Sequence, residues 1–529
     1  MCRYKLPLFA ALLVLLSTLL YALQVKIKNK QYKRTHQAAL SLITGKKAAE
    51  AVKSLQAILA KTPKDAETHY MLAVAQARLG QEEKAAQALQ GALDNGLPPG
   101  RIVGGTRTGL EGLAKTDLYK KLLAEQKNKA VHGPMLGCIA HDGVKVWVRT
   151  AREADIEIIV SEKSGLSEPV ASARGRSKSA DDFTAVLQVS GLKKNTTYHY
   201  GLGVNGAKPA DAGTFRTVHP PGSGLALRLA FGGGAGYTPQ HERMWNTIND
   251  SRPDILLLLG DNVYIDQPEH SLCQHYCYYR RQSRPEWRRF TARTAIYSIW
   301  DDHDFGTNDC VPGPAIEKPA WKRKVWEIYR QNWVNPSYGS GEKQPGCWYD
   351  FMIGDVHFIM LDGRYYRDLK GGSMLGSVQK AWLRKTLTAS SGTFKVIASP
   401  VPFSPRIKPG SKDPWDGFPE ERAEIFSWIR KDRIAGVLLI AADRHRTDLR
   451  TIPNDASYTL YEFESSRLTN RHTHKVVKTD GLVWGYNKTC SFALMQFDTT
   501  RPDPQVTFGL IDIDGKRHHS HILRRSSLK

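Results

Sequence analysis

Residues 254–264, Asp-Ile-Leu-Leu-Leu-Leu-Gly-Asp-Asn-Val-Tyr, decide how the second half of the chain folds. Ile255 to Leu259 are apolar without alternation, which reads as a strand buried on both faces, and Gly260-Asp261 stops it at a turn. A strand end holds a side chain rigidly while the loop beyond it stays open to a ligand. The same pattern, an apolar run ending in acidic residues, returns at Ala295–Asp302, Val356–Gly363 and Ile434–Asp443. Further apolar runs lie at Leu227–Gly233 and Phe394–Pro400, and helical stretches separate them all. Residues 225–525 therefore predict a layered α/β domain with buried sheets.

The run ends carry the chemistry. A carboxylate at Asp261 can bridge two cations about 3.5–4 Å apart, the spacing of two-metal hydrolases. Taken alone, Gly260-Asp261 is as well explained by a turn-forming aspartate. Trp300-Asp301-Asp302-His303-Asp304 gathers three carboxylates around one histidine, which is costly unless a cation neutralises them. An exposed acidic loop is the plainer alternative, and the apolar strand leading into the cluster argues against it. Asp443 and His445 follow a third strand with one residue between them, so both can face one cation. Asp362 and Arg364 end a fourth, where an arginine fork suits a phosphoryl group.

Ahead of this domain the periodicity changes twice. Ala51, Leu55, Ile58 and Leu59 recur 34 residues later as Ala85, Leu89, Ala92 and Leu93, the tetratricopeptide period, so residues 35–127 predict a TPR-like helical segment and a candidate docking surface for a protein partner. A plain helical spacer explains the same stretch, since two repeats are fewer than an independent solenoid needs. Residues 130–220 alternate with period two in Val144–Thr150, Ile156–Glu162, Thr184–Ser190 and Thr197–Val204, as in a small antiparallel, fibronectin-like β-sandwich. Pro220-Pro221-Gly222-Ser223 reads as a linker.

Leu6 to Val25 carry no charge, follow Arg3 and Lys5, and match a bilayer in length, so residues 1–25 predict a signal anchor. Lys26, Lys28, Lys30, Lys33 and Arg34 follow the span and pull its C-terminal side toward the cytoplasm, against an extracytoplasmic placement of the rest. In the 529-residue chain, 75 Lys and Arg against 52 Asp and Glu give a net charge of +23, which favours anionic partners such as phosphate esters, acidic polymers or an anionic membrane surface. The basic residues are scattered and no zinc-finger, basic-zipper or RNP pattern occurs, so dedicated nucleic-acid binding is not expected. Seven cysteines, one of them in the leader, permit disulfides without requiring them. Cys273 and Cys277 flank His275, a spacing that suits a disulfide or local structure better than a metal site.

Gly-Asp-Asn-Val-Tyr, Trp-Asp-Asp-His-Asp-Phe, Leu-Asp-Gly-Arg-Tyr-Tyr-Arg-Asp and Ala-Asp-Arg-His, in this order, resemble the PhoD-like alkaline phosphatase/phosphodiesterase branch of the calcineurin-like metallophosphoesterases. The resemblance runs from Gly133 to Thr507 and implies a four-layer α/β/β/α sandwich behind a β-sandwich. It also implies an extracytoplasmic enzyme hydrolysing phosphomono- or phosphodiesters with iron and calcium. A diesterase acting on an envelope polymer or phospholipid head group competes with a phosphomonoesterase, because pocket shape and not ligand identity sets the substrate. Residue by residue, the resemblance makes Asp261 the bridging ligand, Tyr264 the tyrosinate that accompanies iron, and Asp302, Asp443 and His445 further metal ligands. His303 then stabilises developing charge or protonates the leaving oxygen, with Arg364 beside it and Asn262, Gly234 and Arg364 as substrate contacts. One departure stands out. The family reads Phe-Gly-Ser-Cys after its opening strand, with the cysteine ligating iron, whereas this chain reads Phe231-Gly232-Gly233-Gly234-Ala235 and offers no side-chain donor there. That departure puts iron in doubt and keeps a second class open, a catalytically weakened scaffold that retains the fold.

Overall fold

The computed structural model describes residues 32–105, 111–454 and 457–529. The expected anchor at residues 1–25 lies outside them, and no helix among the described residues is long and apolar enough to cross a membrane. The chain forms two compact units, Met1–Pro98 with Thr106–Lys121, and Pro99–Gly105 with Leu122–Lys529.

In the first unit the helices Tyr32–Thr44 and Ala66–Arg78 begin 34 residues apart, as do Ala48–Leu59 and Glu82–Asp94. Ala51, Leu55, Ala85, Leu89 and Ala92 are buried between them, while Ile58, Leu59 and Leu93 are half-buried. Asp65 opens the third of these helices by accepting the amide of Thr68 at 3.2 Å.

The second unit opens with seven strands, β1 (Ala130–Gly137), β2 (Val144–Thr150), β3 (Ala154–Ser161), β4 (Ala171–Ser177), β5 (Thr184–Val189), β6 (Thr197–Val204) and β7 (Ala210–Arg216). They form two antiparallel sheets, β1-β2-β5 and β4-β3-β6-β7. Arg149 on β2 is fully buried and donates to Gln282 Oε1 at 2.5 Å and Asn332 Oδ1 at 2.9 Å, so this sandwich is pinned to the helices of the following domain. A buried guanidinium requires such partners.

That domain contains β8 (Ala226–Gly232), β9 (Ile255–Leu259), β10 (Ala295–Ile299), β11 (Tyr349–Ile353), β12 (Val356–Met360), β13 (Phe394–Ala398) and β14 (Val437–Ala441). Six more follow, β15 (Thr447–Ile452), β16 (Leu460–Ser465), β17 (Leu482–Tyr486), β18 (Ser491–Asp498), β19 (Gln505–Asp512) and β20 (Arg517–Arg524). One mixed sheet runs β10-β9-β8-β18-β19-β20 and the other β11-β12-β13-β14-β16-β15-β17. β9, β10, β12, β13 and β14 are buried at every position, which is why their sequences are mostly apolar without alternation, with Ser298, His357 and Lys395 the polar exceptions. Phenylalanines from both sheets meet in the core, Phe463 against Phe508 at 4.8 Å and Phe358 against Phe497 at 6.4 Å between ring centres. At one end the sheets touch through backbone: Gly233 N donates to Ser465 O at 3.1 Å, and Leu468 N to Gly233 O at 3.0 Å. The chain can come this close only because Gly233 lacks a Cβ, which would stand 2.6 Å from that of Ala442.

Candidate active site

The ends of β8, β9, β10, β14 and β16 converge where the two sheets meet. Gly260 leaves β9 at φ +99°, and a Cβ there would stand 2.5 Å from the Cβ of Asp301, so the turn admits only glycine. Asp261, Tyr264 and Asp266 follow with φ of +57°, +55° and +53°. Left-handed backbone at three such residues is held by its surroundings, and strain of this kind concentrates at functional sites. The carboxylate of Asp304 supplies the restraint by accepting the amides of Asn262 and Val263, each at 2.9 Å.

This turn presents Asp261, 2% exposed, toward the short helix Asp302–Phe305 that follows β10. Asp261, Asp302 and His303 bring one ligand atom each within 4.8 Å of one another. Asp302 is oriented by the amides of His303 at 2.9 Å and Asp309 at 2.6 Å. Asp261 Oδ1 is buried and accepts no hydrogen bond. Burial pushes the Asp261 carboxyl up to about 8, with Asp302 and Asp304 adding to the rise and His303 opposing it. Burial also raises Asp443 and Asp301, the latter despite the Arg364 guanidinium beside it. Asp302 is held below its ordinary value, because His303 and Arg364 outweigh its burial. Packing this many carboxylates without enough positive charge is the electrostatic condition that a bound cation relieves.

His303 is the one half-open member of the group. Its Nδ1 pairs with Asp266 Oδ1 at 2.5 Å, and its ring stacks on Tyr264 with centres 4.5 Å apart. From β14, Asp443 and His445 arrive with φ of +69° and +48°. His445 Nε2 lies 2.7 Å from Tyr264 Oη and 3.6 Å from Asp261 Oδ2, and Asn470 Nδ2 donates to the same Tyr264 oxygen at 2.7 Å. The structure thus brings Asp261, Tyr264, Asp302, His303 and His445 together, with Asp443 at the neighbouring strand end.

Three other expected site residues are used differently. Arg364 is fully buried, giving Nε to Asp301 at 2.5 Å and Nη1 to Asp413 at 2.7 Å, with Nη2 3.9 Å from Asp302. An exposed fork for substrate is therefore not what β12 delivers: the guanidinium organises the carboxylates behind the site. Asn262 donates its side-chain amide to Ile299 O at 2.8 Å, tying the β9 turn to β10, and its buried Oδ1 accepts no hydrogen bond. Gly234 gives its amide to Gly260 O at 3.2 Å, and a Cβ there would meet Arg467 N at 2.8 Å and His445 Cδ2 at 3.2 Å. Its place beside His445 is that of a ligand position, yet it holds no donor and is too crowded for a side chain. The carboxylates suit a hard divalent cation, while iron held through a thiolate at this turn does not fit.

Residues outside the sequence reading complete the site. Asp266 orients the His303 ring, Asp413 pairs with Arg364 and also takes Lys408 Nζ at 3.1 Å, and Asn470 holds Tyr264. His472 and His474 bring ring nitrogens within 4.8 Å of one on His445. The His-x-His spacing was visible in the sequence, but nothing in it announced that the loop returns to β14.

Residues 229–483 match the family model of PhoD-like phosphatase, and residues 127–218 match a domain of unknown function, DUF7800. Among curated proteins the chain is similar to alkaline phosphatase D of Bacillus subtilis (strain 168), 22% identical over 307 residues that cover 49% of this chain and 52% of that protein. The match thus spans about half the length of that relative. Among solved structures it is similar to one of PhoD, with 17% identity and a TM-score of 0.57 over 75% of this chain and 92% of that one. A purple acid phosphatase from yellow lupin (Lupinus luteus) seeds gives the same TM-score at 11% identity, over 75% of each chain. At these identities the structural likenesses establish the fold.

Proposed function

We propose that this chain, which belongs to the PhoD-like phosphatase family through residues 229–483, is a metal-dependent hydrolase of phosphate esters. The observation that carries the reading is Asp261. A carboxylate oxygen buried without a hydrogen-bond partner, on a strained turn beside Asp302, His303 and His445, is a cost that a cation would offset. Asp261, Asp302, Asp443 and His445, with Tyr264, are the residues that would hold it, calcium suiting the carboxylates and iron lacking the family's thiolate at Gly234. When bound, the cation supplies Lewis acidity and neutralises the phosphoryl oxygens.

The chain's own part is proton transfer and shape. Asp266 fixes Nδ1 of His303, so the other nitrogen is the one that donates to a departing ester oxygen. Stacking on Tyr264 holds the ring in that orientation. The reading extends to the four-layer arrangement that the resemblance implies and to a signal anchor at Leu6–Val25 with the hydrolase on the extracytoplasmic side. The apolar run supports the anchor, the family resemblance supports that side, and the basic residues after the run oppose it.

The test pairs elemental analysis of the purified chain with assays on aryl phosphate mono- and diesters. Asp261→Asn is expected to lose the cation held by the carboxylates and activity together. His303→Ala is expected to keep its cation while turnover falls by roughly two to four orders of magnitude. A wild-type chain that binds no cation and hydrolyses neither ester replaces the enzyme with a scaffold.

A further inference from the structure

The residue missing at Gly234 leaves His445 without its expected sulfur neighbour, and the structure puts two other side chains beside that histidine. After β16 the chain runs through Ser466–Asn470 and then turns His472 and His474 toward β14. The ring centres of His472 and His474 lie 5.3 Å and 5.6 Å from that of His445, and 4.5 Å from each other. The three rings place one nitrogen each within 4.8 Å of one another. Residues two apart in extended chain project to the same side, so both imidazoles reach His445 from a single short segment.

Several hydrogen bonds tie this segment to the site. Thr473, between the two histidines, donates its hydroxyl to His445 O at 3.0 Å. Asn487 donates to His474 O at 2.9 Å. His472 N donates to Asn470 Oδ1 at 3.4 Å, and Asn470 in turn holds Tyr264. The nearby guanidiniums are paired with carboxylates, Arg444 with Asp443 at 3.2 Å and Arg446 with Asp448 at 2.9 Å, which lowers their repulsion of a cation.

We propose that His445, His472 and His474 form a three-histidine site for a borderline divalent cation of the zinc class, taking the place of the family's thiolate-held iron. Three imidazoles with a fourth position open are the ligand set of catalytic zinc sites, and nitrogen donors select zinc, cobalt or nickel over calcium. Metal–nitrogen bonds of about 2.0–2.1 Å put the ligand atoms of a tetrahedral site about 3.4 Å apart. Closing to that spacing requires a shift of the His472–His474 segment, where His472 is exposed and His474 half-buried. Because His445 also lies 3.6 Å from Asp261, this cation would neighbour the carboxylate site and share its substrate. The inference rests on the metal-dependent reading above and specifies the ligands and class of one of its cations.

The test titrates the chelator-treated full chain with zinc against a chromophoric indicator, and separately with cobalt(II), reading the visible absorption of a tetrahedral nitrogen site. The proteins compared are wild type, His472→Ala/His474→Ala, the milder His472→Gln, and Asp261→Asn. The expected result is one zinc equivalent lost in the double variant, weakened in His472→Gln and kept in Asp261→Asn, with the cobalt spectrum following the same pattern. Equal zinc uptake by wild type and the double variant overturns the three-histidine site, whether or not the ester assays succeed. Zinc that depends on the histidines, in a chain that hydrolyses no ester and binds nothing through Asp261, keeps this site and overturns the hydrolase.

Discussion

Stripping the cations and raising the pH exposes what Asp261 does to the fold. Its carboxyl is pushed from 3.8 up to about 8, first by burial and then by Asp302 and Asp304. The folded state therefore binds this proton more tightly than the unfolded chain does. The resulting stability is fully present below pH 4 and is lost as pH rises toward 8 and beyond. At about 1.4 kcal/mol for each factor of ten in proton affinity, the rise sets an upper limit of roughly 6 kcal/mol. Only the stretch from pH 5 to the folded value counts, about 4 kcal/mol at most, and water entering the metal-free site reduces it, so a loss of about 2–4 kcal/mol between pH 5 and pH 9 is expected. Asp261→Asn keeps the size and removes the charge, so it flattens the pH dependence and, without metal, is the more stable protein at pH 9. A cation acts in the opposite direction, stabilising wild type about 2.7 kcal/mol at a hundred times its Kd, with little effect on the variant. Urea unfolding followed by tryptophan fluorescence is the assay, because all 12 tryptophans lie from Trp147 onward, in the larger unit. A metal-free Asp261→Asn protein that is less stable than wild type at pH 9 refutes the argument and makes Asp261 an ordinary hydrogen-bond acceptor.

Arg364→Met should cost about 3–5 kcal/mol, since it leaves Asp301 buried without its cation while Asp413 keeps only Arg367 and Lys408, and Arg364→Lys should recover less than half because one ammonium cannot span both carboxylates. The same urea titration reads the loss, and activity lost at unchanged stability would return Arg364 to the role of a phosphate contact. Gly234→Ala should cost about 1–3 kcal/mol, from φ +65° and a Cβ 2.8 Å from Arg467 N. Gly234→Cys carries the same strain, so it should gain iron only where the backbone yields, and elemental analysis of that variant beside Gly234→Ala separates crowding from ligation.

The strand-borne half of the site was legible in the sequence. Ile255–Leu259 and Val437–Ala441 are apolar throughout, and Ala295–Ile299 is apolar but for Ser298, because both faces of these strands are covered, and the charged residue that breaks such a run must lie at a sheet edge. Asp261, Asp302, Asp443 and His445 follow from that rule. Arg364 also sits just past a strand end, on the opposing sheet, but a run of apolar residues does not say whether the next side chain faces solvent or other charges. Its burial depends on Asp413, about fifty residues away on a loop whose path leaves no periodic trace.

His472 and His474 show the same limit from the other side. Their spacing is local, but its meaning comes from Thr473 bonding His445 and from Gly233 pairing with Ser465, contacts between segments far apart in the chain. The glycine turn that removed the family's sulfur donor is also what brings these segments together. Gly233 lies under Ala442, and Gly234 O accepts the amide of Asn470 at 3.2 Å, two residues before His472. A cysteine side chain in place of Gly234 would push against Arg467, in the loop that carries both histidines. On this geometry a side chain at Gly234 competes with the present path of the loop at Arg467 and with the His445 ring. The absence of the thiolate and the presence of the histidine pair are then coupled through that loop, and the Gly234→Cys variant, with His472 and His474 intact, should hold the two histidines farther from His445.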